Sequence, residues 1–343
     1  MPTTESLVIA PQWIGDAVMT EPLLRRLAAR GERLTVGALP WVAPVFRAMP
    51  QVAEVIEFPF AHGGLQWSAR RALARTLHGR FEAAYVCPNS LKSALLPWLA
   101  GIPRRVGYLG ESRWGLLNQR LPNPPKDERP PMVAFYAALS GQDPTASEAD
   151  RPALHVNAAQ VQAVLAHFGL TLGGYRVLVP GAEYGPAKRW PVARFAALVQ
   201  QLGERGETVL LLGSTKDAAL GEAIIFQAGE LGPGACRNLA GRTTLDEALA
   251  LIAGAAAMVS NDTGLMHVAA ALDVPQVALF GSSSPRHTPP LSPHAQVIWL
   301  KDDAAYQPAL DCAPCFERAC PLGHLRCLND ITPERVLRTL DAL

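Results

Sequence analysis

The sequence predicts a two-domain α/β protein, each domain a parallel sheet covered by helices, on three observations. Short apolar runs alternate with helical patterns, the alternation restarts near residue 170, and a proline-rich polar stretch separates the two series. A chain of 343 residues also has room for about two domains at roughly 150 residues each.

The first series opens on the strand-like SLVIA (6–10), then the helical MTEPLLRRLAAR, the strand-like LTVGAL, the helical WVAPVFRAM and the strand-like VAEVIEF. The second runs YRVLVPGA, a helix from about 191 to 205, ETVLLLGS, a helix near 218–228, AAAMVSND, a helix from about 264, and QVALFGS. Between them, residues 121–153 hold seven prolines in LPNPPKDERPP and QDPTASEADRP, poor material for a sheet core. The junction is placed near 155–172, which gives a first domain of residues 1–160 and a second of 170–331. The chain ends on PERVLRTLDAL, a helix with Thr332 as N-cap and Pro333 at its first position.

Composition excludes several classes. With 49% hydrophobic and 18% charged residues the chain is globular rather than disordered. Lys and Arg number 31 against 30 for Asp and Glu, so no global field draws it to nucleic acid, and stacking aromatics are not interleaved with its basic residues. The first residues lack the basic segment of a signal peptide, so a cytoplasmic location is expected. The most apolar stretch, 248–260, is about 13 residues long, short of the roughly 20 that span a bilayer, and reads as a buried helix running into a strand.

In open parallel sheets, ligands bind beyond the carboxyl ends of the strands. Asp16, between SLVIA and a helix, is either a general base or the helix N-cap. The loop 180–191 carries small residues and Lys188, a compact charge suited to phosphate, although a solvated surface loop has the same composition and no P-loop pattern is present. Ser260 to His267 joins a strand to an apolar helix whose first N–H groups suit a diphosphate, or Asp262 or Thr263 merely caps it. No GxGxxG dinucleotide fingerprint follows any strand. Cys312, Cys315, Cys320 and Cys327 crowd into sixteen residues with His324 among them. They read as a structural metal site of unassigned ligand, as packing thiols, or as disulfides formed on oxidation, and the spacing is not that of a zinc ribbon. Basic residues gather in the first half at Arg70, Arg71, Arg75 and Arg80, then Lys92, Arg104, Arg105 and Arg113, either solvated or lining a site for an anionic acceptor.

Six ordered segments, APQWIGDAVMTEPLL, YVCPNSLKSALLPWLAGIPRRVGY, PGAEYGPAKRWP, LLGSTKDA, RNLAGRTTLDEALALIAGA and VSNDTGLMHVAAAL, together resemble the ADP-heptose:lipopolysaccharide heptosyltransferases of glycosyltransferase family 9. PNSLKSAL and GPAKRWP favour subtype II within that family. The resemblance implies a GT-B fold, two Rossmann-like domains facing across a cleft, with the terminal helix 332–343 packing back on the first domain. It implies inverting transfer of heptose from ADP-heptose to the first heptose of heptosyl-Kdo2-lipid A, without metal or other cofactor. Asp16 takes the place of the catalytic base and Lys188 that of the phosphate-binding lysine. Asp262, Thr263, Gly264, Leu265 and His267 fall on the diphosphate loop. Ser214, Asp217 and Thr243 occupy roughly the adenosine positions, while Lys92, Arg104 and Arg105 are acceptor-binding candidates. A monomer in peripheral contact with the cytoplasmic face of the inner membrane is expected. The alternatives are another GT-B enzyme, either a transferase of a different ADP-sugar or a nucleotide-sugar epimerase, and a non-catalytic nucleotide-binding protein of envelope assembly.

Overall fold

A computed structural model describes residues 4–60, 64–125, 128–141 and 150–343. The polar segment 142–149, part of the separator between the two series, lies outside the described residues. The chain divides into two compact units, Met1–His155 and Val156–Leu343.

The first unit runs β1 (Thr4–Ile9), α1 (Ile14–Met19), α2 (Glu21–Ala29), β2 (Glu32–Ala38), α3 (Ala43–Arg47), β3 (Val52–Glu57), α4 (Trp67–Leu77), β4 (Ala83–Val86), α5 (Leu91–Leu99), β5 (Arg104–Tyr108), β6 (Gln119–Leu121) and α6 (Met132–Ala137). Its strands pair in the order β3-β2-β1-β4-β5-β6, all parallel. Central strands have both faces covered, so Leu7, Val8 and Ile9 are a continuous buried run rather than an alternating one. The helical pattern read through residues 19–30 breaks at Thr20, whose hydroxyl donates to the Ala17 carbonyl at 2.6 Å, and Pro22 restarts the helix. The chain beyond residue 149 is tied back to α2 by Asp150, which accepts from Arg26 at 2.8 Å.

The second unit runs α7 (Ala158–Phe168), β7 (Tyr175–Val179), α8 (Val192–Glu204), β8 (Thr208–Leu211), α9 (Ala218–Ala228), β9 (Cys236–Asn238), α10 (Leu245–Ala253), β10 (Ala257–Asn261), α11 (Gly264–Ala271), β11 (Gln276–Phe280), β12 (Ala295–Trp299), α12 (Arg326–Asn329) and α13 (Pro333–Asp341). Its order, β12-β11-β10-β7-β8-β9, is the same doubly wound order, again all parallel. The apolar stretch 248–260 is the end of α10 and most of β10, as its length required.

Helix α13 starts as its sequence dictates, with Thr332 accepting from the Arg335 N–H and Pro333 at the first position. Its destination corrects the expectation. Val336, Leu337 and Leu340 are buried in the second unit's own core beside Phe195, Leu198 and Leu202 of α8. The physical reason is the helix itself, a narrow apolar stripe with an otherwise charged surface, which the open flank of α8 and β11 covers. Leu340→Ala should therefore cost the second unit about 2–4 kcal/mol. Asp341→Ala, which breaks only the exposed pair with Arg205, should change stability by less than about 1 kcal/mol. Urea unfolding of the two variants beside the parent chain checks the contrast.

Candidate active site

In the first sheet the strand order reverses between β1 and β4, where loops leaving the carboxyl ends diverge and open a crevice. Asp16 stands at this point. The N-cap of α1 is Trp13, so Asp16 is not the cap; it lies in the first turn, half-buried, where the positive end of the helix favours its charge. Its Oδ1 accepts a hydrogen bond from the Tyr136 hydroxyl at 2.8 Å. Burial, and then the Asp16 charge, push up the thiol of Cys87 at the end of β4.

Beside Asp16 the same edge of the sheet holds a cavity of about 130 Å³, whose walls include Gln12, Phe58, Phe60, Arg70, Ser90 and Lys92. Arg70 is 8% exposed, lies 4.2 Å over the Phe60 ring and donates to the carbonyls of Leu65 and Lys92 at 2.7 and 3.0 Å. Lys92 thus belongs to a cavity wall. Arg104 and Arg105 do not join it. They open β5, at the amino end of the sheet, opposite to the end that carries Asp16. Arg104 donates to the Tyr85 hydroxyl at 2.5 Å, and Arg105 to the carbonyls of Leu116 and Ile102 at 2.6 and 2.5 Å. Both expectations are corrected: these guanidinium groups hold the scaffold. Arg113, fully buried, does so as well, donating to the Pro88 carbonyl at 2.8 Å and to Asn89 at 3.0 Å in the turn after β4.

In the second sheet the order reverses between β7 and β10, and here two sequence segments meet. Lys188, in a short 3-10 turn (Pro186–Lys188), donates to Asp262 Oδ2 at 2.5 Å, with both side chains largely buried. Asn261 pins the two loops together: its amide donates to the Pro180 carbonyl at 2.7 Å and accepts from the Trp190 N–H at 2.9 Å. Gly181 is required for the same close approach, because a Cβ there would meet the Asp217 carboxyl group at 2.5 Å. Thr263 caps α11 in extended conformation without a side-chain cap bond, and the amides of Gly264 and Leu265 form the first turn. His267 is buried on that helix. Burial holds its imidazole down to about 4; Asp262 acts upward and Lys188 adds to the lowering.

The adenosine candidates separate. Ser214 and Asp217 cap each other, with Asp217 Oδ2 accepting from the Ser214 N–H at 2.9 Å and from its hydroxyl at 2.8 Å. Thr243 precedes Thr244, which forms a capping box with Glu247. The four cysteines 312, 315, 320 and 327 line one small apolar cavity together with His324, Ala187 and Ser282. All are free thiols, and among the described residues no three His, Cys, Asp or Glu side chains are placed to hold one metal ion. Burial pushes the Cys327 thiol up to about 11, with Cys312, Cys320 and Cys315 adding to it. Burial also acts upward on Cys320, but the backbone amides of Leu325, Leu322, Gly323 and His324 outweigh it and hold that thiol below the ordinary range. The segment also braces the Lys188 turn: Ala187 N–H donates to the Arg318 carbonyl at 3.0 Å and the Tyr184 hydroxyl to the Phe316 carbonyl at 2.7 Å.

Three features of the site escape a reading by motif. Tyr136 lies in MVAFYAAL, an apolar run within the proline-rich stretch. Asn261 is the silent neighbour of Asp262 in SNDTG. Ser282 and Ser283, just beyond β11, bury hydroxyl oxygens without a hydrogen-bond partner at the ligand-binding edge of the second sheet.

Comparison with known proteins identifies the family. The model of glycosyltransferase family 9 (heptosyltransferase) matches residues 70–326. The lipopolysaccharide heptosyltransferase 2 of Escherichia coli K12 is 43% identical, with 98% of this chain and 97% of that protein covered. The chain belongs to glycosyltransferase family 9. The lipooligosaccharide heptosyltransferase 2 of Haemophilus influenzae is 39% identical over 98% of both chains. The solved structure of E. coli ADP-heptose lipopolysaccharide heptosyltransferase II aligns with a TM-score of 0.83 at 41% identity over 98% of both chains. As a family 9 glycosyltransferase the chain is an enzyme of GT-B type, and its two Rossmann-like units are those the resemblance implied.

The buried imidazole makes this family 9 site sensitive to acid. His267 has a folded-state value below the ordinary 6.5, so as pH falls the unfolded chain takes up a proton first. The contribution to stability is complete above 6.5 and is lost as pH falls through about 4. Between those limits the parent chain should lose stability more steeply than His267→Gln, measured by urea unfolding at stepped pH.

Proposed function

We propose that this family 9 glycosyltransferase moves heptose from ADP-heptose to the first heptose of the Kdo-lipid A inner core, with inversion, during lipopolysaccharide biosynthesis. The observation that carries the reading is the β7/β10 switch point, where Lys188, Asp262 and the first amides of α11 come together in a form suited to a departing diphosphate.

The chemistry then divides between the units. On the first, Asp16 takes the proton of the acceptor hydroxyl as its oxygen forms a bond to the anomeric carbon. On the second, the bond from that carbon to the β-phosphate oxygen breaks, and the electron pair leaves on ADP. The amides of Thr263, Gly264 and Leu265 and the Lys188 ammonium offset the charge that builds there. His267, neutral at working pH, adds no charge of its own. Every group in this scheme belongs to the chain, so EDTA should leave the rate unchanged.

Adenosine falls to the loops after β8 and before α10. Ser214 and Asp217 shape the turn through their mutual cap, and Thr243 is the candidate for direct contact. The cavity of Arg70 and Lys92 suits the anionic acceptor. The protein works as a monomer in contact with the cytoplasmic face of the inner membrane, and the exposed indoles support the membrane contact. Trp13, Trp41, Trp67 and Trp114 are 44–65% exposed on segments that follow β1, β2, β3 and β5, and Trp rings favour the lipid interface. Among the described residues no helix is long and apolar enough to cross a membrane.

Two outcomes are expected. Asp16→Ala should lose roughly 10²–10⁴-fold in transfer to heptosyl-Kdo2-lipid A, while calorimetry finds ADP binding retained. Lys188→Ala should lose about 10²–10³-fold and weaken ADP binding as well. Equal product from the Asp16 variant and the parent chain would refute the base assignment. Separately, binding to anionic lipid vesicles should weaken as salt rises, because exposed charges are screened beyond about 8 Å at physiological ionic strength.

A further inference from the structure

Tyr136 takes no part in the transfer scheme above, yet its hydroxyl is bonded to the group assigned as base. It lies on α6, a short helix inside the proline-rich stretch, and is 5% exposed. The helix is clamped at the adjacent residue. The Tyr108 hydroxyl donates to the Phe135 carbonyl at 2.6 Å, the two rings stack at 3.8 Å, and the Arg129 guanidinium lies 5.0 Å over Phe135 on its way past. Phe135 in turn meets Tyr136 edge-on at 5.9 Å. The phenol therefore has one orientation, and in it the hydroxyl reaches Asp16 Oδ1 at 2.8 Å.

We infer that Tyr136 is the positioning residue for the base: its hydroxyl donates to Asp16 Oδ1, holds the carboxylate in one orientation and favours its ionised form. The inference rests on the reading of Asp16 as base. The direction of the bond follows from the surroundings. Burial, then the charges of Asp16 and Cys87 and the bond to Asp16 itself, push the phenol well above its ordinary range against the opposing Arg129. The proton stays on the tyrosine oxygen, which can only donate to a carboxylate. The titratable groups facing the pair include Cys87 just after β4, kept as a thiol by burial, Tyr108 on β5, kept as a phenol by burial, and Arg129 before α6. Neither Cys87 nor Tyr108 changes charge below neutral pH, and His267 of the second unit is common to the parent chain and to Tyr136→Phe, so a difference between their acid limbs reports on Asp16. A hydrogen bond from a buried, immobile donor also spares the carboxylate a reorganisation that water would impose during proton transfer.

The test compares Tyr136→Phe, Asp16→Asn and the double variant in steady-state transfer to heptosyl-Kdo2-lipid A across pH 5–9. Tyr136→Phe removes one oxygen and nothing else from the core. Its kcat should fall about tenfold, as for the loss of a hydrogen bond to a charged group. The KM for ADP-heptose should stay within about twofold, and the acid limb of kcat/KM should move up by about one pH unit. The double variant should be no slower than Asp16→Asn alone. An unchanged kcat and acid limb in Tyr136→Phe, with Asp16→Asn inactive, overturns the role of Tyr136 alone; an active Asp16→Asn overturns the base reading beneath it. If Tyr136→Phe does not accumulate folded, 3-fluorotyrosine at this position keeps the shape with a stronger donor. The acid limb should then move to lower pH, and a limb that stays in place overturns the inference.

Discussion

Parallel pairing across the two reversal points, β1 with β4 and β7 with β10, is the constraint on which the rest depends. A parallel sheet sends every strand in one direction, so each loop that leaves a carboxyl end emerges at the same edge. At the reversal the flanking helices go to opposite faces, and the two central loops are left without a helix between them. Lys188 and Asp262 are separated by 74 positions in sequence, yet this geometry gives them a 2.5 Å ion pair. It also brings Asp16, after β1, to the end of β4, where Cys87 feels its charge. No local preference in either loop would produce such encounters.

That pair shows how burial charges are made tolerable. A lone carboxylate as enclosed as Asp262 would be costly, and so would a lone ammonium; each supports the other. The arrangement is also ready for a third partner. In the proposed reading the Lys188 ammonium, held in place by Asp262, and the first amides of α11, whose dipoles are fixed before ligand arrives, act together on an anion. Asn261 holds this geometry by satisfying one backbone group on each side of the Lys188 loop. His267 stays neutral because burial outweighs the pull of Asp262.

The elements legible in the sequence were those with clear apolar or amphipathic patterns: β1, β2, β3, β7, β8, β10 and β11, helices α2, α3, α8, α9, α10 and α11, and α13 down to its cap. What escaped was short or set by distant contacts. β6 and β9 are three residues each, too short to show a period. α6 is interrupted by prolines on its approach and reads as linker, although its apolar face is buried against α1 and α2. Among candidate site residues, Asp16, Lys188 and Asp262 stood out in the sequence because they lie in loops after strands, and the structure places each at the carboxyl edge of its sheet. Arg104 and Arg105 misled because basic residues near a strand look alike at either end; only the direction of β5 shows that they face away from the ligand edge. Ser214 and Asp217 show the same ambiguity, since a serine followed three residues later by an acid is also a capping box.

The two units share one sheet order but hold opposite kinds of group, and loop length accounts for the difference. After β1 the chain enters a helix within residues 10–13, so the side chain that reaches the crevice, Asp16, comes from the first turn, where a helix dipole favours an anion. After β7 the chain wanders from 180 to 191 before α8 begins, long enough to fold back over β10 and deliver a cation to the start of a different helix. A short connection thus brings a carboxylate to the crevice of the first sheet, and a long one brings an ammonium to the crevice of the second. One sheet order with unequal loops therefore supplies, one from each unit, both kinds of group that the proposed transfer calls for.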